Sequence, residues 1–110
     1  MLPRRLVLLS AGLILALASC ASVFSTGRDF PSPGRDAITT GTTAKPDLLR
    51  LFGEPTQVGI DDGDPTWTWL FFKKGNPDLT KQLTVRFRAD GVVKSYSFTS
   101  NFPEDMKTLR

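Results

Sequence analysis

Few side chains in this sequence could carry chemistry. Cys20 is the only cysteine and closes a mostly apolar run, Leu6 to Ala18. The thiolate is the reactive form of that side chain, and a lone thiol cannot build an internal disulfide framework. Asp61, Asp62 and Asp64 cluster in the stretch DDGD. Hard cations take carboxylate oxygens, so a calcium site is one reading of the cluster and a solvated turn is the other. The spacing does not fit an EF-hand loop. Arg86 and Arg88 alternate with apolar residues in LTVRFRA. Their guanidinium forks suit phosphate or carboxylate, so a lipid phosphate, an acidic partner or plain water could face them. There is no histidine, which removes the commonest general base and the commonest metal ligand. Neither a phosphate loop nor a nucleophile elbow is present. The expectation is a protein that is not an enzyme and holds no metal.

The surroundings of Cys20 say what its sulfur is for. Arg4 and Arg5 form a charged start, and Leu6 to Ala18 form a segment of 13 residues. That length is too short to span about 30 Å of hydrocarbon as a helix, and fits a secretory signal. Small residues precede the cysteine. Leu17-Ala18-Ser19-Cys20 resembles a bacterial lipobox, in which the sulfur forms a thioether to a diacylglycerol unit and the chain is cut just before it. This resemblance implies a signal peptide over residues 1–19 and a covalent lipid on Cys20, with no other cofactor. Two or more acyl chains anchor a protein stably, whereas one does not. Ala21, rather than aspartate, follows the cysteine. By the usual sorting rule of a Gram-negative envelope, that favours the outer membrane.

The net charge of +3 adds little. Without the leader, 14 basic residues fall to 12 against 11 acidic ones, so the remainder is close to neutral. Nucleic-acid binding is therefore not expected. Residues 21–34, ASVFSTGRDFPSPG, are rich in Ser, Gly and Pro and read with Cys20 as a flexible tether over 20–34, roughly 40–50 Å at full stretch. Phe24 and Phe30 are odd in a linker. They would dip into headgroups, or dock on the domain or on a partner.

The elements that must position Arg86 and Arg88 follow. GTTAKPDLLRLFGEP predicts a short helix. Thr43 is a candidate N-cap, Pro46 is tolerated in the first turn, and Asp47 suits the positive end of the dipole. Leu48, Leu49, Leu51 and Phe52 form the apolar stripe, and Gly53 with Pro55 ends it. A second helical turn is expected around Arg35 to Thr39. Strands are predicted over residues 66–72, 83–89 and 92–98. Trp67, Trp69 and Phe71 share one face, either as a ligand platform or as core packed on Leu48, Leu51 and Phe52. A two-residue turn at Asp90-Gly91 would pair Leu83 with Phe98, Val85 with Tyr96, Phe87 with Lys94 and Arg86 with Ser95. A longer loop would shift these partners. The expected architecture is α+β, with one or two short N-terminal helices packed on a three-stranded antiparallel meander, over residues 35–102. Residues 103–110 would be a C-terminal tail.

Over about residues 36–99 the sequence resembles the SmpA/OmlA (BamE-like) family of small outer-membrane lipoproteins. Gly41 and Thr43 match its Gly-x-Thr helix start, Gly53 and Pro55 its Gly-x-Pro helix end, Trp67 and Trp69 its aromatic strand, and Phe87 and Gly91 the Phe-x-x-x-Gly of its last hairpin. Pro46 departs from that pattern, standing where Glu or Gln could complete a capping box. The resemblance implies an ααβββ fold. It also implies a periplasm-facing accessory or scaffold role in outer-membrane protein assembly or envelope integrity, with the membrane as one partner through the lipid and β-barrel assembly subunits as others. Arg86 and Arg88 are the candidate partner or lipid contacts. Related folds serve periplasmic inhibitors, so a lipid-anchored inhibitor or sensor of an envelope enzyme or small ligand is the alternative.

Overall fold

Alternation over Thr66-Trp67-Thr68-Trp69, continued by Leu70, Phe71 and Phe72, makes DPTWTWLFFK the centre of a sheet. The structure, a computed structural model, describes residues 25–110. In order it contains β1 (Ser25–Thr26), α1 (Lys45–Phe52), β2 (Gln57–Asp61), β3 (Asp64–Lys73), β4 (Leu79–Phe87), β5 (Val93–Ser100) and α2 (Pro103–Leu109). All five strands join one antiparallel sheet in a small α+β domain. On one side β3 pairs with β4, which pairs with β5. On its other side β3 pairs with β2 through Asp64–Thr68 and with β1 at Phe72 and Lys73.

The sheet is thus larger than a three-stranded meander, and the two helices are not both N-terminal. Residues 34–37 make a turn, closed by the Ala37 amide donating to the Gly34 carbonyl at 3.1 Å, in place of the helical turn expected around Arg35 to Thr39. The expected tail is instead α2. Pro103 fits its first turn, Glu104 and Asp105 suit the positive end of its dipole, and Lys107 suits the other end. The segment read as a tether is fastened from Ser25 onward: Ser25 and Thr26 pair with β3, and Phe30 is buried in the core. Of the destinations open to Phe30, it takes the domain; Phe24 lies outside the described residues. Gly27 makes the docking possible. Its φ is +80°, and a Cβ there would stand 2.1 Å from the Leu70 carbonyl oxygen.

Helix α1 starts one residue later than expected, with Ala44 as N-cap. The Thr43 hydroxyl instead accepts from the Thr39 amide at 2.8 Å, and the Asp47 carboxylate accepts from the Ala44 amide at 3.0 Å. Leu48 and Phe52 are buried against the sheet, but Leu49 and Leu51 are exposed, so the stripe is narrower than predicted. At the other end, Gly53 has φ +78° and its amide donates to the Leu49 carbonyl at 2.9 Å. The Gly53 carbonyl then accepts from Trp69 Nε1 at 3.0 Å, tying the helix end to β3. Trp69 is buried in the core, with Trp67 and Phe71 packed at its margin, which settles their shared face as packing. Full burial of a side chain such as Leu48 contributes about 1.5–3 kcal/mol.

In the β4–β5 hairpin, Leu83 faces Phe98, Val85 faces Tyr96 and Arg86 faces Ser95, as expected. Phe87, however, faces Val93 and not Lys94, through a bulge between Arg86 and Phe87. The turn is correspondingly longer, with the Arg88 amide donating to the Val92 carbonyl at 2.8 Å. The physical reason is burial. A two-residue turn would set Lys94 beside fully buried Phe87, whereas the bulge puts Val93 into the core and releases Lys94 to the outer face.

Candidate functional site

The outer face of the sheet, away from α1, carries Arg86 and Asp64 from among the residues singled out for chemistry. Thr66 and Thr68 on β3, Thr84 and Arg86 on β4, and Ser95 and Ser97 on β5 follow from the alternation that sends their neighbours into the core. Asp64 Oδ2 accepts from Arg86 Nε at 2.7 Å and from Lys94 Nζ at 2.9 Å, so one carboxylate joins three strands. Asp61 adds a longer contact to Arg86, at 3.4 Å. Lys94, and then Arg86, hold the Asp64 carboxyl below its ordinary value. In turn Asp64 raises the already high proton affinity of Arg86. A shallow groove of about 210 Å³ lies among Asp61, Thr66, Thr84, Arg86 and Ser95.

Arg88 is separate. It pairs with Asp90 inside the hairpin turn and does not share the Arg86 cluster. Its guanidinium is the first cause that lowers the Asp90 carboxyl, ahead of the Val92 amide. The two candidate arginines therefore sit on distinct ion pairs within this chain. This arrangement suits hydrogen bonding to a polar surface rather than proton transfer. A carboxylate with its proton affinity lowered by two cations is a poor general base for the hydroxyls around it. Of the DDGD cluster, Asp62 and Gly63 form the β2–β3 turn, both with positive φ, while Asp61 and Asp64 serve Arg86. Among the described residues no group of three or more acidic, histidine or cysteine side chains is placed to hold a metal ion.

Lys81 is the residue that sequence reasoning missed. Its side chain is only 7% exposed; Nζ pairs with Asp29 Oδ1 at 2.8 Å and donates to the Phe30 carbonyl. The ammonium also lies 4.8 Å from the Phe30 ring centroid and 5.1 Å from that of Phe102. One lysine thus fastens both the incoming segment and the strand end before α2. The signal was present in the alternation: Lys81 shares the inward parity of Leu83, Val85 and Phe87. β2 was missed as well, although Val58, Ile60 and the Asp62-Gly63 turn announce a hairpin.

A second groove, about 500 Å³ and mostly apolar, runs between the β3–β4 loop and α2, past Lys73, Lys74, Pro77, Leu79 and Met106. It lies beside the point where β1 joins Lys73. Cys20 lies outside the described residues. No helix among those described is long and apolar enough to cross a membrane. No family model, no curated protein and no solved structure matches this chain.

Proposed function

We propose that this chain is a non-catalytic lipoprotein of the outer membrane. A lipid on Cys20 would hold it at the periplasmic face, where it acts as a scaffold or accessory factor in outer-membrane protein assembly or envelope integrity. The observation that carries the reading is the run from Arg4 to Cys20, a charged start, an apolar segment and Leu-Ala-Ser-Cys. The fold supports it in a further respect. Ser25 is already strand-paired, so the five residues from Cys20 reach at most roughly 18 Å. The domain would sit close to the bilayer, within contact range of membrane-embedded partners. A helix, α1, ahead of the antiparallel β3–β4–β5 ladder is also part of the ααβββ, BamE-like arrangement that the family resemblance implies, while β1, β2 and α2 depart from it. Its hydroxyl-rich outer face offers hydrogen bonds to a partner without a catalytic pair.

Metabolic labelling with a palmitate analogue tests the anchor. The wild-type chain takes label and fractionates with membranes, and Cys20→Ala loses both. Label retained in the variant would overturn the reading. Pull-down from detergent-solubilised membranes tests the role, with β-barrel assembly subunits as the expected recovery. The groove beside Lys73 and Met106 favours a second reading, a lipid-anchored inhibitor or sensor. A tight complex with a periplasmic hydrolase and no barrel-assembly subunit would select it.

A further inference from the structure

We infer that β2 is a pairing edge for a second copy of this chain, joined antiparallel about Gly59 so that the two sheets become one. This goes beyond the anchoring role and stands whether or not Cys20 carries lipid.

β2 bonds β3 along one side, and among the described residues no strand pairs with its other side. All five of its residues are exposed, with Val58 at 71% and Ile60 at 80%. Exposed sheet edges are ordinarily blunted by charged side chains, lysine above all, by proline or by a bulge. Between Gln57 and Asp61 there is no lysine, proline or bulge, and Asp61 at the strand end is the one charge. The opposite edge, β5, carries Lys94, which is itself the extra residue of the bulge opposite Arg86 and Phe87. One edge is guarded and the other is left open.

The occupant follows from the residues along the edge. Val58 and Ile60 point to the helix side of the sheet, with Trp67 and Pro65 as their partners on β3. Two copies of β2 crossing antiparallel at Gly59 set Val58 of each against Ile60 of the other, and Gln57 against Asp61. Every apolar residue then meets an apolar one, and each carboxylate meets an amide. Sliding the pair by two residues sets Val58 against Asp62, or Ile60 against Thr56. A parallel, in-register pair stacks Asp61 on Asp61 and Asp62 on Asp62, opposing like charges. The strand is its own best complement, as a two-fold interface requires, and glycine at the dyad leaves room for close backbone approach. Five residues a side bury less than the roughly 1,200 Å² of a stable complex, so the dimer is weak and reversible.

The test uses the full chain in detergent extracts and a short bis-maleimide. Val58→Cys and Ile60→Cys are made separately; both replace exposed side chains, and an unchanged melting temperature checks the fold. Mixed Val58→Cys and Ile60→Cys chains give several-fold more cross-linked dimer than either alone, and wild type reports any contribution of Cys20. Adding Ile60→Lys to the Val58→Cys chain abolishes the product with Ile60→Cys chains. Equal yields in all combinations, yields no greater than wild type, or cross-links only to a different protein would each overturn the inference.

Discussion

Replacing Lys81 with methionine keeps an unbranched apolar stem in the inward row of β4 and removes the charge with its donors. Four contacts are lost. The Phe30 carbonyl loses a charged donor, about 1–3 kcal/mol in a buried setting. The ammonium leaves the rings of Phe30 and Phe102, about 0.5–1 kcal/mol each. The pair with Asp29 adds less than about 1 kcal/mol, because Asp29 is 65% exposed and water screens it. Methionine sulfur on the same rings returns part of this, about 0.3–1.5 kcal/mol, and the desolvation of a buried ammonium is relieved. The net expectation is a loss of about 2 kcal/mol. For a domain of this size that lowers Tm by roughly 8–16 °C. Thermal unfolding followed by circular dichroism reads the shift, and hydrogen exchange should show residues 25–30 losing protection before the rest. Asp29→Asn should cost under about 1 kcal/mol, since only the screened pair is touched. If Lys81→Met left Tm within a degree or two, or raised it, desolvation would outweigh the partners. The claim that Lys81 fastens the incoming segment would then be refuted.

Asp64 makes stability depend on acid. Its folded-state carboxyl is depressed, first by Lys94 and then by Arg86, so the stabilisation is present above the ordinary value of 3.8 and is lost as pH falls through the lower folded value. Asp64→Asn should be less stable at neutral pH yet flatter in Tm from pH 5 down to the acid limit; an unchanged slope would show that the cluster contributes nothing. Gly27→Ala forces a Cβ against the Leu70 carbonyl at a φ of +80°, costing at least about 1–2 kcal/mol. Its amide exchange should quicken at Ser25 and Thr26 while β4 stays protected, and uniform protection across β1 would contradict the docking.

Local signals made part of this fold legible. The apolar pair Leu48 and Phe52, stopped by Gly53 and Pro55, specified α1 to within a residue, because helix ends are set by groups a few positions apart. Alternation in 66–72 and 83–87 separated the core face from the face bearing Arg86, since side-chain direction in a strand needs no tertiary information. The Leu83–Phe98 and Val85–Tyr96 pairs were expected from a two-residue turn; the turn is longer, and the bulge shifts the strands back into that register. The Phe87–Lys94 pairing does not form, because the bulge that replaces it depends on burying Val93 against a core assembled from distant segments. Arg86 and Arg88 were read as equivalent, and only the strand neighbours divided them, giving one to Asp64 and the other to Asp90.

The amino-acid order by itself determined where α1 and the middle of each long strand run, which way their side chains point, and that Cys20 follows a signal-like segment; β4 begins at Leu79, four residues before the strand expected at 83. Those properties depend on neighbours within a few residues. The tertiary structure alone decided that a Ser-, Gly- and Pro-rich segment docks as β1, that a lysine is buried, and that Arg86 belongs to Asp64. Each of these rests on partners distant in the chain, Gly27 with Leu70, Lys81 with Phe30, Arg86 with Asp64, and such contacts come into being only when the chain has closed on itself.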